Sequence, residues 1–280
     1  MACLALRSNK GLVREANEDA CCAMASMTQL GEVVMAVVCD GVGGLSCGEV
    51  ASATVIMRFV EWFKAELPSL LRDMRAGLDC RLIQSCWTEL LNELNERIGL
   101  YGRSIGALLG TTFTGLLACG KSYVVGHVGD CRAYCLHGSS LMQLTEDQTL
   151  LAFKLARGEI SAEEAADSHA RHVIMQSVGT ERRLRPAFYA GSIDATDVLV
   201  VCSDGAYQSL GNTGLQKELI GATGQGEHVL DDACKEILSK SMRAGERDNL
   251  SIVCVSCGSV GASGDAADTR SLVSVGHDAL

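Results

Sequence analysis

The sequence predicts an α+β fold in which helices pack outside a β-sandwich. Short β-type runs cluster in the middle of the chain, at Thr111–Cys119, Ser122–Val128 and Arg132–Leu136, and Gly-Lys and Gly-Asp turns separate them. Two long amphipathic segments lie apart from these runs, on their N-terminal side. Strands grouped in this antiparallel manner, with helices set apart from them, favour an α+β fold.

Two strand-like runs are predicted near the N-terminus. Residues 1–11 form the first, which ends near Gly11. The second is the apolar run from Val33 to Asp40, which is rich in β-branched residues and too short to span a membrane. We expect it to be a buried strand that delivers a carboxylate to its end.

Two helices are expected next. Ser46 and Glu49 resemble a capping box, with a helix following over Val50–Leu67 and stopping before Pro68. A second helix is expected over Leu78–Leu100, where apolar residues recur at three- and four-residue steps.

The second half of the chain contains a block of different character. Residues 141–184 are rich in Glu, Ala and Arg, helical in propensity and without matching strand pairs, so we interpret them as an insertion over one end of the sheet. After this block we expect strands at Arg185–Ala190 and Val198–Cys202, a helix at Val229–Met242 and a last strand at Leu250–Ser256. Residues 258–280 are expected to be a loose tail. This leaves one domain over residues 1–257.

The composition is that of an acidic globular protein. The 280 residues are 48% hydrophobic, and the net charge is -10 with no basic cluster of the usual length. Nucleic acid and anionic membrane surfaces are therefore poor partners, whereas localised acidity suits cations. No apolar run reaches the length of a transmembrane helix or of a signal-peptide core.

The 14 cysteines show no spacing typical of a zinc site. The single CxxC, Cys254 and Cys257, has no second ligand pair, and several other cysteines lie inside apolar runs where a thiol behaves as a small hydrophobe. We interpret the cysteines as free thiols in a reducing compartment and expect a cytoplasmic protein.

Three apolar segments end in an aspartate beside glycine. They are Val33–Asp40 before Gly41, Val198–Asp204 before Gly205, and Val124–Asp130 after Gly129. A single Asp-Gly after a strand is usually only a turn. Recurrence at three strand ends instead predicts one acidic site at one end of a sheet.

The candidate acids at this site are Glu18, Asp19, Asp40, Asp130, Asp204 and Asp248. Like charges packed together are costly unless protons or cations neutralise them, and oxygen-only ligands suit Mg²⁺ or Mn²⁺. Two ions sharing Asp40 would hold a water between them, lower its pKa and aim it at an electrophile. The backbone carbonyl of Gly41 is a further candidate ligand. Arg14 is the cation best placed for a substrate anion, and its planar fork suits phosphate.

These residues belong to motifs that resemble a known family, the metal-dependent serine/threonine protein phosphatases (type 2C, the PPM family), and in particular its compact bacterial branch. The motifs, in family order from about residue 7 to 256, are Arg14…Asn17-Glu18-Asp19, Cys39-Asp40-Gly41-Val42-Gly43-Gly44…Gly48-Glu49, Gly110-Thr111-Thr112, Gly126-His127-Val128-Gly129-Asp130-Cys131-Arg132, Leu144-Thr145-Glu146-Asp147, Ser203-Asp204-Gly205 and Asp248-Asn249-Leu250-Ser251. One Asp-Gly is weak evidence, whereas this ordered set of motifs is strong.

The resemblance implies a four-layer α-β-β-α sandwich with a dinuclear Mg²⁺ or Mn²⁺ centre at one end. Asp40, Asp204 and Asp248 would hold the first ion. Asp40, the Gly41 carbonyl and the acid of Glu18/Asp19 would hold the second. Adjacent strand residues point to opposite faces, so we favour Asp19 as the direct ligand, with Glu18 acting through water or elsewhere.

The resemblance also implies roles around this centre. Asp130 would join Asp204 at a weaker third ion, and Arg14 would bind the phosphoryl group. Residues 141–184 would be the flap beside the active site.

The chain departs from the family pattern at three places. Cys131 stands where the family usually has Ser, and Asp147-Gln148-Thr149 stands for its frequent Asp-His-Ser. Val42 follows the first Asp-Gly, where many eukaryotic members have a His that is a candidate general acid. The proton donor to the leaving group is therefore left open, with a metal-bound water as the fallback.

The leading hypothesis is a monomeric phosphoserine/phosphothreonine protein phosphatase without a covalent intermediate, which opposes a Ser/Thr kinase and acts on its phosphorylated protein targets. The alternative is a catalytically weak module that binds phosphoproteins on the same fold. Degenerate members usually lose metal-site acids, and Asp40, Asp204 and Asp248 are all present here. A thiol-based redox or zinc protein is the weakest alternative, because it depends on the cysteine count alone.

Overall fold

The computed structural model describes residues 1–43, 47–74, 77–161, 164, 173–222, 226–256 and 269–276. Two antiparallel sheets pack face to face, and helices cover the outer face of each sheet. The predicted α+β fold, a four-layer α-β-β-α sandwich, is therefore confirmed.

The first sheet has the strand order β1-β11-β10-β7-β8. Its strands are β1 (Cys3–Asn9), β7 (Arg132–His137), β8 (Ser140–Gln143), β10 (Val198–Cys202) and β11 (Leu250–Ser256). Every neighbouring pair is antiparallel, and β10 and β11 have the predicted bounds.

The second sheet has the order β12-β2-β3-β5-β6-β9, and the short β4 pairs with the end of β3. Its strands are β2 (Asp19–Thr28), β3 (Gly31–Gly43), β4 (Leu109–Thr111), β5 (Phe113–Cys119), β6 (Ser122–Val128), β9 (Ala187–Ser192) and β12 (Arg270–Val275). β3 continues past Asp40 to Gly43, so this carboxylate lies within the strand and not at its end.

The helices fall into two groups, one on each sheet. The second sheet carries α1 (Gly48–Ala65), α2 (Leu67–Asp73) and α3 (Cys80–Ile105), and the first carries α5 (Asp204–Tyr207), α6 (Gly211–Leu219) and α7 (Glu227–Arg243). A short α4 (Leu150–Ala156) follows β8, and a 3₁₀ turn at Ile220–Ala222 follows α6. None of the helices in the described part of the chain is both long and apolar enough to cross a membrane.

Three hydrophobic cores hold these layers together. The middle core lies between the sheets, and each outer core lies between one sheet and its helices. Along β2, Cys21 and Ala23 face the middle core, whereas Cys22 and Met24 face the outer core under α1. Both faces of the central strands are buried, which explains why they read as continuous apolar runs without alternation.

Several sequence expectations need correction. The helix expected to stop before Pro68 ends at Ala65, and Pro68 lies in the first turn of α2, where its missing N–H costs nothing. Ser46 lies outside the described residues, and Cys47 occupies the N-cap of α1 without a side-chain capping bond. The short helices between β10 and α7 were not expected.

The regions expected to be an insertion and a tail contain strands. β8 begins at Ser140 and pairs with β7, and isolated bridges join Val178 to Thr111 and Ile174 to Thr149. β12 lies within the residues expected to be a loose tail and pairs with β2 along Arg270–Val275. The remainder of 258–280 is outside the described residues, apart from residues 269 and 276. The cysteines of the described part of the chain are all free thiols, as expected.

Candidate metal centre

Five aspartates from distant parts of the chain meet at one end of the sandwich. Asp19 opens β2 and pairs across the sheet with Asp40 of β3. Asp130 lies in the turn between β6 and β7, Asp204 opens α5 two residues after the end of β10, and Asp248 lies two residues before β11. The other four carboxylates all raise the pKa of Asp40, which places Asp40 in the midst of the group.

Burial and mutual repulsion make four of these acids, Asp19, Asp40, Asp130 and Asp204, reluctant to ionise without a cation. Burial raises the pKa of Asp19 and of Asp130 to about 7, and neighbouring carboxylates add to both shifts. Burial, followed by the other aspartates, also raises the pKa of Asp40 and of Asp204 well above the usual range. Bound cations would remove this electrostatic cost.

Two buried carboxylate oxygens in the group have no hydrogen-bond partner in the part of the chain that the structure describes. They are Oδ1 of Asp19 and Oδ1 of Asp204. The second oxygen of each carboxylate is held, since the Ser203 hydroxyl donates to Asp19 Oδ2 at 2.8 Å and Gln208 Nε2 donates to Asp204 Oδ2 at 2.7 Å. Each carboxylate is thus oriented through one oxygen and keeps the other free, as expected of a cation ligand.

Glycine is required at two positions beside these acids. A Cβ on Gly41 would come within 2.4 Å of the Gly48 backbone, and a Cβ on Gly48 would lie 2.8 Å from the Gly41 carbonyl oxygen and 2.9 Å from Glu18 Oε1. No side chain fits at either position without moving backbone atoms. The backbones after β3 and at the start of α1 can therefore approach each other closely next to Asp40.

Glu18 and Asp19 have different surroundings. Asp19 faces Asp40 inside the cluster, whereas Glu18 Oε1 accepts a hydrogen bond from the Gly48 N–H at 3.1 Å, at the N-terminus of α1. The Glu18 backbone N–H donates to Asn249 Oδ1 at 2.8 Å. This arrangement supports Asp19 as the candidate ligand and gives the Glu18 carboxylate a local role in joining β2 to α1.

Arg14 contacts one of the candidate ligands. Its Nη2 donates to Asp248 Oδ2 at 2.6 Å, and the side chains of Arg14 and Asp248 are 48% and 31% exposed. The guanidinium therefore lies at the solvent-facing rim of the cluster. In this position it can reach an anion that arrives from solvent, but it also competes with a cation for Asp248.

A polar network supports the turn that carries Asp130. The Tyr207 hydroxyl donates to the Asp130 carbonyl at 3.0 Å, and the Arg132 guanidinium lies over the Tyr207 ring, 3.8 Å from its centroid. Arg132 also forms two hydrogen bonds to Asp147, Nε to Oδ1 at 2.8 Å and Nη2 to Oδ2 at 2.6 Å. The sequence motifs contain Arg132 and Asp147, but no local signal identifies Tyr207.

The departures from the family pattern at Cys131 and Gln148 are accommodated without the loss of a candidate ligand. The Cys131 thiol is buried, 3.1 Å from the Thr112 hydroxyl, which also accepts a hydrogen bond from the Asp40 N–H at 2.8 Å. Gln148 Oε1 accepts from the Gly129 N–H at 3.0 Å and so fixes the turn before Asp130.

A second group of possible ligands lies at the other end of β7. His137, Asp194 and Asp197 bring three ligand atoms within 4.8 Å of one another, a spacing that the aspartates above do not meet among the described residues. His137 Nδ1 and Asp197 Oδ1 are 2.8 Å apart, and Asp197 Oδ2 accepts from the Asp194 N–H at 2.8 Å. These bonds explain the group as the cross-link of the β9–β10 loop to β7.

Comparison with known proteins identifies the family. The family model described as Protein phosphatase 2C matches residues 13–242. Because this match spans most of the sequence, the chain belongs to the protein phosphatase 2C family, and its resemblance to the bacterial branch is confirmed by the relatives that follow.

Bacterial serine/threonine phosphatases are among these relatives. The serine/threonine phosphatase stp of Listeria welshimeri is 27% identical over 251 residues, which cover 89% of this chain and 93% of the relative. The serine/threonine protein phosphatase PstP of Mycobacterium tuberculosis is 29% identical over 249 residues, which cover 89% of this chain and 44% of that longer protein.

Solved structures share the fold. The catalytic domain of PstP in complex with two manganese ions is similar with a TM-score of 0.72 at 25% identity, covering 91% of this chain and 97% of that chain. Stp1 from Staphylococcus aureus gives a TM-score of 0.78 at 24% identity, covering 91% and 95% of the two chains.

The raised pKa values predict that the metal-free protein loses stability as the pH rises from about 4 to about 7. The folded chain holds protons on Asp19 and Asp130 that the unfolded chain releases near its lower pKa, so folding is favoured at the acid end of this window. The melting temperatures of wild type and of Asp19→Asn are both measured in a chelator, and the Tm of the variant is subtracted from that of wild type. We expect this difference to decrease by on the order of 5 °C between pH 4.5 and pH 7.5.

Two further samples make this measurement specific. Asp73→Asn, which changes an exposed acid at the end of α2, should keep the wild-type pH dependence. Saturating Mn²⁺ should remove most of the fall in wild type. A difference between wild type and Asp19→Asn that does not change with pH would contradict the raised pKa.

Proposed function

We propose that this chain hydrolyses phosphoserine and phosphothreonine esters in proteins, with two Mg²⁺ or Mn²⁺ ions held by the carboxylates at the end of the sandwich. The observation that carries the proposal is the group of five aspartates in a protein phosphatase 2C chain. Two of them, Asp19 and Asp204, keep a buried oxygen that no described residue hydrogen-bonds.

The contacts support one assignment of ligands. Asp40 would be shared by both ions, as the family resemblance implies, and it pairs across the sheet with Asp19. Asp204 and Asp248 would complete the first ion's protein ligands, and Asp19 with the Gly41 carbonyl would complete the second's. Asp130 would share a weaker third ion with Asp204, as the family resemblance implies, and each carboxylate lies close enough to raise the pKa of Asp204 or Asp40.

The chain's own residues supply orientation and phosphate binding. When bound, the ions would polarise the phosphate ester and lower the pKa of an attacking water. Ser203 and Gln208 hold the carboxylates of Asp19 and Asp204 in fixed orientations. Arg14, at the open rim, would donate to two phosphate oxygens and orient the ester for in-line attack.

The buried cysteines next to the aspartates are not suited to form a covalent intermediate. Cys21, Cys39 and Cys131 are all fully buried beside these aspartates, and burial, together with the neighbouring carboxylates, raises the pKa of each thiol. A protonated, inaccessible thiol is a poor nucleophile. This supports direct attack by water on phosphorus.

The leaving alkoxide needs a proton, and the histidine of the motif region does not provide it. His127 is buried, and burial lowers its pKa to about 4. Its Nε2 lies 3.0 Å from the Glu146 carbonyl and its Nδ1 2.9 Å from the Thr114 hydroxyl, so both ring nitrogens are engaged. Water is therefore the proposed donor.

The free thiols and the carboxylates of the site also suggest where the protein works and with which partners. We propose that a Ser/Thr kinase produces the substrates and that the protein works in the cytoplasm, where the free thiols of the described part of the chain would stay reduced. A monomer is sufficient, because one chain contributes every carboxylate of the site. The binding-module alternative is not favoured, since Asp40, Asp204 and Asp248 are all retained.

Replacement of single aspartates tests the assignment. Asp40→Asn, Asp204→Asn and Asp248→Asn should each lower Mn²⁺-dependent turnover of p-nitrophenyl phosphate and of a phosphothreonine peptide by at least about 100-fold, since outer-shell partners of metal ligands alone are worth 10–100-fold. Each variant should still unfold cooperatively. Asp73→Asn is the matched control, and near-normal activity in any of the three site variants would refute the assignment.

Arg14 should have opposite effects on substrate and on metal. Arg14→Ala should lower kcat/KM by roughly one to two decades, because charge-assisted bonds to phosphate are worth about 1.5–3 kcal/mol each. It should also tighten Mn²⁺ binding, by up to about fivefold, because a half-exposed ion pair that competes for Asp248 is worth about 0–1 kcal/mol.

Arg14→Lys separates charge from geometry. Lysine keeps the charge without the planar fork, so it should recover only part of the lost kcat/KM. The two quantities are measured by steady-state kinetics and by Mn²⁺ titration calorimetry. If kcat/KM is unchanged in Arg14→Ala, Arg14 does not bind the substrate phosphate and is only a charged residue on the surface.

A further inference from the structure

A basic groove lies between α3 and the segment that leads into β9. The cavity has a volume of about 720 Å³, and three arginines line it, Arg182, Arg183 and Arg185. All three side chains are exposed, and none of them forms an ion pair among the described residues. Asn92 and Gln176 also line this arginine groove.

The charge of the arginine groove is opposite to that of the whole chain. Two carboxylates, Glu96 and Glu181, line it together with the three guanidinium groups, so its lining is net positive. The chain as a whole has a net charge of -10. Three arginines lie within four positions of an acidic protein and have no carboxylate partner among the described residues, so they form a local site for an anion.

The arginine groove is held in shape by buried contacts. Asn95 of α3 is 4% exposed, its Nδ2 donates to the Glu181 carbonyl at 2.8 Å, and its Oδ1 accepts from the Gly179 N–H at 2.8 Å. Leu184 is 2% exposed and anchors the segment between Arg183 and Arg185. The arginines therefore project from a fixed backbone, which lowers the entropy lost on binding.

Gln176 links the arginine groove to the metal centre. Its Oε1 accepts from the Arg185 N–H at 3.2 Å, and its Nε2 donates to the Arg185 carbonyl and to Gln148 Oε1, both at 2.8 Å. Gln148 Oε1 in turn accepts from the Gly129 N–H, next to Asp130. The arginine groove and the Asp130 turn thus share a continuous set of hydrogen bonds.

The backbone sets an upper limit on the distance between the two sites. Val178 pairs with Thr111, which pairs with Gly41, and two ladder steps span about 10 Å. The arginines lie four to seven residues after Val178, and each residue adds no more than ~3.4 Å. The arginine groove and the metal centre therefore lie within about 35 Å of each other. An extended peptide covers this distance in roughly ten residues.

From these contacts we propose that the arginine groove binds an acidic segment of the phosphoprotein substrate, within about ten residues of the phosphorylated position. The proposal rests on the proposed function, because it assumes that the phosphorylated residue occupies the metal centre. Arg185 lies just outside the expected flap at 141–184, and the expected strand at Arg185–Ala190 begins only at Ala187, which leaves Arg185 in the groove lining.

The test compares phosphothreonine peptides that share one core sequence. One carries four Glu residues up to ten positions before the phosphothreonine, another carries them after it, and a third carries Gln in both places. We expect wild type to prefer one acidic peptide over the Gln peptide in kcat/KM by roughly 5–20-fold, as three weak exposed charge pairs would give. The preference should diminish between 0.05 and 0.5 M salt.

The variant Arg182→Gln/Arg183→Gln/Arg185→Gln should reduce this preference to below about twofold and leave p-nitrophenyl phosphate turnover within about twofold of wild type. The matched control is Lys64→Gln/Arg72→Gln/Arg81→Gln, which removes the same charge from exposed positions on α1, α2 and the start of α3. It should keep the wild-type preference.

Three results would overturn the proposal. They are no preference in wild type, the same preference in both triple variants, and an equal fall on peptides and p-nitrophenyl phosphate in the groove variant, which would mark a structural role. A fourth measurement is independent of catalysis. Fluorescence anisotropy with a labelled, unphosphorylated acidic peptide should show weaker binding to the groove variant than to the control. Equal binding would refute the role of the arginine groove in binding acidic segments, even if the chain proves inactive.

Discussion

The crowding of carboxylates at one end of the sandwich is the constraint on which the site depends. Asp19 and Asp40 are neighbours across two strands, and Asp130, Asp204 and Asp248 add three more negative charges. Without cations this arrangement keeps protons on buried acids to near neutral pH, which opposes folding as the pH rises. A fold that holds such a group has a functional reason for it, and divalent cations supply one.

The rest of the molecule holds that group in place. Two sheets with buried faces on both sides provide rigid strand ends, and hydrogen bonds from Ser203 and Gln208 orient the carboxylates of Asp19 and Asp204. Asn249 shows how far this support extends, because its Nδ2 donates to the carbonyls of Lys10 and Ala16 and its Oδ1 accepts from Glu18. The loop that carries Arg14 is thereby tied to the strand that follows Asp248.

The sequence predicted the layers, most strands and the convergence of the aspartates, because these follow from local patterns. β10 and β11 have the predicted bounds, since a buried strand between turn residues is recognisable alone. β12 was missed because its partner β2 lies about 250 residues away and its own run is short and half-exposed. The short helices α5 and α6 were missed because too few turns show periodicity.

The supporting residues of the site were the hardest to predict. Tyr207 and Asn95 act through partners that are close only in the folded chain, and no spacing in the sequence marks them. Gln208 contacts Asp204 from four residues further along the chain, a local pair that the sequence patterns did not single out. The contact between Arg14 and Asp248 was likewise not expected, although both residues belong to recognised motifs. A motif identifies the chemistry of a residue, whereas its neighbours come from the fold.

Calorimetric titration of the metal-free protein with Mn²⁺ tests the central claim most directly. At pH 6.5, in buffers of different ionisation enthalpy, it should show two ions bound per chain and release of protons from the acids whose pKa is about 7. The proton release should fade by pH 8.5, and Asp40→Asn should lose binding of both ions, because Asp40 is the shared ligand. Absence of Mn²⁺ binding, or two ions still bound by Asp40→Asn, would contradict the account.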